Sequence, residues 1–517
     1  MKMETFGDIG TAIPFGASFM DIGSPRFRSA LEDVFWGRSP ISCIIGPGGC
    51  GKSVLLRAAA FRFGERCMCL APTGVAAENI SFSFGTHQVK GLTIHKGLGI
   101  PVIKDTKSNE KGSVEKSKVG SLSEEGFIAK ASSRKRRTSI YSEDGHSTRY
   151  WPETISGTVA ALSKVDVVLL DEVSMVSSDL FDLIMLHICA ASRIRGRVIR
   201  LVCFGDPLQL PPVTKDGSSP KMFFDSHFWK ALGPKVHVLD TVYRQSDGGF
   251  KAILNDLRRG NVTEEAKAFV KAHCISDPKA STKERLCIAP QNQQADDYNT
   301  KKEKALVEGS SPRKFHFPYQ WIRDGKRLED NPRPGDYECP SDMELYKGER
   351  VMCLKNAPDG SYRNGSLGTL VGCVKEKRSI EVDDRRSVEL TLPVAVVLLD
   401  GSKVPVLVRC HEYGQPYSSA GKGARIFQVP IRRAWAVTYH KSQGLTLDSL
   451  RMETKLLKAD GMFYLGLSRV RTPQGVALTG EPDWSMVAAN PEALSFVEAC
   501  EACADREDRL EACPQDV

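Results

Sequence analysis

The octapeptide Gly46 to Ser53, GPGGCGKS, has the glycine spacing and terminal Lys-Ser of a phosphate-binding loop. An apolar run, ISCIIG, leads into it, and a helical run, VLLRAAAFRF, follows. Gly46, Gly48, Gly49 and Gly51, with Pro47 and Cys50 between them, let backbone N–H groups turn inward onto phosphate oxygens. The start of the helix adds the positive end of its dipole. Lys52 can reach the terminal phosphates, and Ser53 offers a hydroxyl to Mg²⁺. A pair of acids extends this chemistry: Asp171 and Glu172 end the apolar run VDVVLLDEVSM. A carboxylate at a strand end can hold Mg²⁺ through its water shell, and its neighbour can orient and deprotonate an attacking water. The adjacent acids favour hydrolysis of a nucleoside triphosphate over a kinase or a switch.

Such side chains need a scaffold that gathers strand ends. Short apolar runs at 41–46, 66–72, 165–171, 198–206 and 235–240 alternate with helical stretches, the first preceded by FRSALEDVFWG. This alternation predicts an α/β fold with parallel sheets covered by helices. Residues 346–430 carry short strands separated by turns, the pattern of a small antiparallel barrel, and 431–480 return to α/β. Residues 104–150 interrupt the pattern with 11 Lys/Arg, 7 Asp/Glu and 10 Ser. They read as a disordered or loosely ordered basic insertion. Its RKRR (134–137) is either part of a solvated loop or a nucleic-acid contact or import signal. The end of the chain, EACEACADREDRLEACPQDV, reads as a charged helix that frays. Its lone CxxC at 500–503 lacks the second ligand pair that zinc needs.

Composition narrows the class. The chain has 517 residues, 41% hydrophobic and 26% charged, which excludes wholly disordered, collagen-like and coiled-coil proteins. No run of 18 apolar residues suggests a membrane span, and no membrane partner is expected. The net charge of +8 permits a nucleic-acid partner without demanding one. Fifteen cysteines at irregular spacing, many inside apolar runs, point to a reducing, intracellular compartment. The N-terminus has neither a secretory signal pattern nor a good organelle presequence.

The ordered motifs resemble those of superfamily-one helicases, in the RecD-like and PIF-type (petite integration frequency) branch. LVCFGDPLQLPPV (201–213) resembles the third motif of that branch. APTGVAAENI (71–80), GLTIHKGLGI (91–100), LDTVYRQSDGGFKAILNDLRRGN (239–261), VMCLKN with YRNGSLGTL (351–370), RRAWAVTYHKSQGLTLD (432–448) and FYLGLSRVRT (463–472) resemble others, in the family's order. The resemblance implies two RecA-like P-loop domains with ATP between them and an SH3-like β-barrel insertion in the second. The corresponding layout is an N-terminal extension (1–24), a first domain (25–240), a second domain (241–480, barrel within 346–430) and a tail (481–517). It implies 5′-to-3′ movement on single-stranded DNA and unwinding of forked DNA, in replication, repair, recombination or telomere maintenance. A nuclear or mitochondrial site follows if the source is eukaryotic, with the nucleus ahead. The alternatives are an RNA helicase of the same superfamily, or a nucleic-acid-binding scaffold with weak ATPase.

The resemblance also assigns roles. Gln209 in GDPLQLPP corresponds to a γ-phosphate sensor. Arg244 in YRQ and Arg469 in SRV correspond to arginine fingers from the second domain, whose planar guanidinium groups match phosphate oxygens. Thr73, His95, His440, Lys441 and Ser442 correspond to single-stranded DNA contacts. Gly444 corresponds to a position on the nucleotide side of the cleft. Phe317, Tyr319 and Trp321 could stack on bases, although packing is the better reading. Two departures stand out. Phe27 occupies the position where the family places a Gln that reads adenine, which leaves base selectivity open. Cys50 replaces a Thr in the phosphate loop.

Overall fold

The structure, a computed structural model, describes residues 24–84, 87–100, 116–118, 138–141, 147–150, 152–213, 221–274, 285–323, 326–327, 339–383, 386–414, 425–455, 457 and 459–511. The chain forms two compact units: Met1–Ala280 with Leu447–Ser449 and Thr454–Val517, and Ser281–Thr446 with Leu450–Glu453.

The first unit opens with helix α1 (Pro25–Trp36). Ser24 caps it by accepting from the Phe27 N–H at 3.1 Å, and Pro25 takes the first position, where no amide partner is lost. Phe27, Ala30, Leu31, Val34 and Phe35 form its buried stripe. There follow β1 (Ile41–Ile45), α2 (Lys52–Phe63), β2 (Cys67–Ala71), α3 (Gly74–Ile80), β3 (Gly91–Thr93), β4 (Val167–Leu170), α4 (Ser178–Arg195), β5 (Arg200–Gly205), β6 (Lys235–Val238) and α5 (Gly248–Arg258). The strands form one sheet, in the order β6-β1-β5-β4-β2-β3, with every pair parallel. Every residue of β1 and β4 is buried, as a sheet covered on both faces requires. Register pairs Ile45 with Gly205 and Cys203 with Leu170. The loop after β1, the acids after β4 and the turn after β5 therefore leave the sheet at one rim, where α/β folds place ligands.

The second unit holds a parallel sheet and an antiparallel body. Strand β7 (Leu286–Ala289) leads into α6 (Asn292–Ser310), and its sheet neighbours are β13 (Ala436–Thr438) and β14 (Leu450–Met452), both parallel to it. Asn299 on α6 stitches helix to sheet: its Oδ1 accepts from Ala436 N–H at 2.8 Å, and its Nδ2 donates to the Ala436 carbonyl at 2.9 Å. The antiparallel body has a five-stranded sheet in the order β11-β10-β9-β8-β12. These strands are β8 (Arg350–Cys353), β9 (Leu367–Asp383), β10 (Arg386–Leu399), β11 (Val406–Val408) and β12 (Ile431–Arg433). Smaller sheets join Lys314–Phe317 to Met343–Tyr346 and Gln320–Arg323 to Arg425–Gln428. One core including Phe317, Leu345, Val351, Leu392 and Phe427 serves all three. The antiparallel strands thus extend beyond the expected 346–430 on both sides, as three sheets around a common core. Phe317 and Trp321 are buried in apolar clusters, which is packing rather than a stacking surface, and Tyr319 packs beside Trp321.

The chain then returns to the first unit with α7 (Met462–Leu467) and α8 (Pro491–Glu511). The tail expected to fray is docked. Ala493 and Val497 are buried, Phe496 stacks on Phe224 with centroids 4.4 Å apart, and Arg26 donates to Asp505 and Asp508. Residues 241–274 and 459–480, expected in the second domain, pack with the first unit. Within the 104–150 insertion, 116–118, 138–141 and 147–150 form a small sheet. The rest of that insertion, with RKRR, lies outside the described residues, as do residues 1–23 of the expected 1–24 extension. Among the described residues, no helix is long and apolar enough to cross a membrane.

His187 is fully buried in α4, with Nδ1 2.8 Å from the Leu183 carbonyl oxygen. Burial pushes its pKa down from 6.5 to about 4. Below about 6.5 the unfolded chain takes a proton that the folded ring refuses. This residue's contribution is therefore fully present above that pH and is lost as pH falls toward 4, by about 3 kcal/mol. Denaturant unfolding at pH 7 and pH 5 should show a smaller acid loss for His187→Gln than for the wild type. Equal losses would assign the acid sensitivity elsewhere.

Candidate active site

The phosphate loop is shaped by two left-handed glycines, Gly49 (φ +87°) and Gly51 (φ +96°). Each is also a close approach. A Cβ on Gly49 would lie 2.5 Å from the Arg244 Cβ, and one on Gly51 would lie 2.9 Å from the Phe27 ring. Phe27 therefore packs beneath the loop, 1% exposed, and presents no polar edge. Gly51 begins α2 without a side-chain cap, which leaves the first amides of that helix to the loop cradle. Lys52 Nζ donates to the Gly46 and Pro47 carbonyls at 2.7 and 2.8 Å and lies 3.5 Å from Cys50 Sγ. Ser53 is exposed at the head of the helix.

Beyond β4, Asp171 is buried, and its Oδ1 accepts from the Glu172 N–H at 3.0 Å. Burial, reinforced by the Glu172 charge, pushes its pKa to about 7 against the pull of Lys52 and Arg57. Glu172 adopts a left-handed backbone (φ +51°), a conformation that costs a side-chain-bearing residue about 1 kcal/mol or more and that clusters at functional sites. A divalent cation is compatible with this acidic end, where it would lower the cost of ionising Asp171.

Both expected arginine fingers stand at the loop, in the same compact unit as the loop itself. The Tyr243 N–H donates to the Gly49 carbonyl at 2.9 Å, which sets Arg244 against the loop. Arg244 Nη1 donates to the Ser468 carbonyl at 2.8 Å, and Arg469 Nη2 donates to Ser468 Oγ at 2.9 Å. Burial lowers Arg244 to about 10, with Arg469 adding repulsion, and burial lowers Arg469 as well. Two desolvated cations on one face of a phosphate loop form a site complementary to a polyanion.

Sequence reasoning missed the carboxylate that ties these parts together. Asp206 has no exposure. It accepts from Arg258 Nη2 at 2.8 Å and Nε at 3.0 Å, from Gln209 Nε2 at 3.1 Å, from the Leu208 N–H at 3.2 Å and from the Tyr464 hydroxyl at 3.3 Å. Burial would raise this carboxyl, but the Arg258 pair overcomes that and holds it below its usual value, while Arg258 is raised in turn. The signal for Arg258 was present in the sequence. It continues the apolar stripe Phe250, Ile253, Leu254 and Leu257, where a cation must find an internal partner. Tyr464, in a helix of buried residues, carried no such signal.

The nucleic-acid candidates are divided between the units. In the first, Thr73 caps α3, accepting from the Ala76 N–H at 3.2 Å, and His95 lies partly buried on the short helix Ile94–Gly97. In the second, the turn Tyr439–Ser442 holds a partly buried His440, with pKa lowered by burial, and an exposed Lys441 whose Nζ donates to Asn292 Oδ1 at 3.3 Å. Ser442 departs from the expectation. It is fully buried, and its hydroxyl donates to the Tyr439 carbonyl at 2.7 Å, so its side chain shapes the turn rather than its surface. Gly444 (φ +78°) also belongs to the second unit.

A parallel sheet with a glycine loop between strand and helix, and acids leaving the same rim, defines a P-loop nucleotide-binding α/β protein. The AAA domain model matches residues 24–277. The chain is 30% identical over 343 residues to the human ATP-dependent DNA helicase PIF1 (Homo sapiens), covering 63% of this chain and 48% of that one. It is 26% identical over 480 residues to the ATP-dependent DNA helicase Pif1 of Bdellovibrio bacteriovorus, covering 92% and 91%. It superposes on the Bacteroides sp Pif1 crystal structure in complex with ADP-AlF4 with a TM-score of 0.62 at 22% identity, covering 93% and 97%. In sequence the chain is thus similar to DNA helicases of the Pif1 kind, and in fold to their crystal structures. It spans about half the length of the vertebrate relatives it matches.

Removing one partner of the Asp206–Arg258 pair leaves a buried, uncompensated charge. Arg258→Ala should cost about 3–5 kcal/mol in denaturant unfolding. A loss below about 1 kcal/mol, the range of surface pairs, would contradict the burial of this pair.

Proposed function

We propose that the chain is an ATP-dependent DNA helicase that moves 5′ to 3′ on single-stranded DNA and opens forked duplexes. The observation that carries this reading is the convergence in one compact unit of the phosphate loop, Asp171–Glu172, Gln209 and the Arg244–Arg469 pair. The similarity to ATP-dependent DNA helicases supports the DNA substrate, and the polarity rests on the motif resemblance.

In this reading the loop amides and Lys52 bind the triphosphate, exchanging the Gly46 and Pro47 carbonyls for phosphate oxygens. Ser53 and Asp171 would hold Mg²⁺, which would supply charge neutralisation at the terminal phosphates. Glu172 accepts the proton of the attacking water, and Gln209 orients the water against the γ-phosphate. Arg244 and Arg469 neutralise the charge that develops on the transferred group. Thr73, His95, His440 and Lys441 contact the phosphodiester backbone without reading bases, as a translocating protein requires. Ser442 supports the turn that presents the last two.

Steady-state ATP turnover, alone and with single-stranded DNA or RNA, tests the proposal. Stimulation by DNA, followed by unwinding of 5′-tailed but not 3′-tailed duplexes, is the expected result. Stronger stimulation by RNA, or none by either, would overturn it. Lys52→Ala should abolish turnover while single-stranded DNA binding persists. Glu172→Gln should bind ATP and hydrolyse it at least about 100-fold more slowly. Loss of DNA binding in both variants, with folding intact, would contradict this division of roles.

A further inference from the structure

The Gly48 N–H, in the middle of the phosphate loop, donates to the Tyr464 hydroxyl at 2.8 Å. That hydroxyl in turn donates to Asp206 Oδ2 at 3.3 Å. The same oxygen accepts from Gln209 Nε2 at 3.1 Å. Tyr464 is 2% exposed and Asp206 fully buried, so neither can exchange these partners for water. A Cβ placed on Gly48 would lie 3.5 Å from Tyr464 Oη, from Ser468 Oγ and from Arg469 Nη2 alike. Loop, sensor glutamine and arginine finger therefore meet around one phenol.

We infer that the Tyr464 hydroxyl is a positioning group that ties the phosphate loop at Gly48, through Asp206, to Gln209. The inference rests on the proposed ATP-hydrolysing reading of this site. The hydroxyl accepts from the loop and donates to the hub, so a shift of the loop is felt by the carboxylate that orients Gln209. Arg258 holds both oxygens of that carboxylate, Nη2 donating to Oδ1 at 2.8 Å and Nε to Oδ2 at 3.1 Å, so the carboxylate cannot turn away to absorb the movement. The arrangement sets the alignment of the γ-phosphate with the attacking water. It does not contribute the bulk of nucleotide affinity, which comes from the loop amides and Lys52.

A purely structural phenol would satisfy two buried polar groups and do nothing more. The two roles separate in kinetics. Tyr464→Phe keeps the ring and removes the hydroxyl. In the full chain with saturating single-stranded DNA, it should lower kcat for ATP about tenfold and leave KM within about twofold. Paired with Gln209→Ala, the losses should fail to multiply, because both act through the same oxygen of Asp206. A kcat equal to wild type, whatever happens to the thermal midpoint, would overturn the inference, as would losses that multiply in the double variant. If Tyr464→Phe fails to fold, Arg258→Lys disturbs the same carboxylate by removing the fork that holds both its oxygens. It should show the same drop in kcat with KM retained, and an unchanged kcat would again overturn the inference. Absence of turnover in the wild type would instead overturn the ATP-hydrolysing reading, and this inference with it.

Discussion

A carboxylate with no access to water must be satisfied from within, and Asp206 is satisfied by groups from three separate segments: its own turn, α5 and α7. Burying a charge is tolerable only when its partners are fixed, because an unpaired one costs several kcal/mol. The requirement therefore runs outward. Arg258 must lie on the inner stripe of α5, Tyr464 must face the loop from α7, and Gln209 must turn back on its own strand end. The segments carrying Arg244 and Arg469 are placed by the same demand, since they flank α5 and follow α7.

This explains why the arginines share a compact unit with the phosphate loop although their motifs lie far apart in sequence. Arg244 and Arg469 both donate to Ser468, and Gln245 Nε2 reaches the Val470 carbonyl at 2.9 Å, so the two motif segments are zipped together. Like charges held this close and this dry repel each other, which favours an anion between them and the loop. C-terminal helix α8 braces the assembly from outside, with Glu501 accepting from Arg259 at 2.7 Å, next to Arg258, and with Asp505 and Asp508 taking Arg26, next to Phe27.

The chemical strings were legible because their chemistry is local. A strand, a glycine loop and a helix follow each other within about twenty residues, and Asp171–Glu172 must sit where an apolar run stops. The parallel sheet was equally legible from unbroken apolar runs. Arg258 could have been read, since it falls on a stripe of four apolar residues, whereas Tyr464 could not, because a phenol within MFYLGL looks like core until its hydroxyl finds a partner. The direction of the Ser442 hydroxyl was equally out of reach, because a motif gives a residue type and not a rotamer. The docking of α8 was hidden by its charges, although Ala493, Phe496, Val497, Cys500 and Ala504 recur at helical spacing.

The central claim is that a planar, desolvated guanidinium at the loop completes a triphosphate-hydrolysing site. The most direct test is ATP turnover by Arg469→Lys beside the wild type, with single-stranded DNA present and the thermal midpoint monitored. Lysine keeps the charge but loses the fork that matches phosphate oxygens. The account predicts a folded protein whose turnover falls at least about 100-fold. Turnover at the wild-type level in a folded Arg469→Lys protein would contradict it.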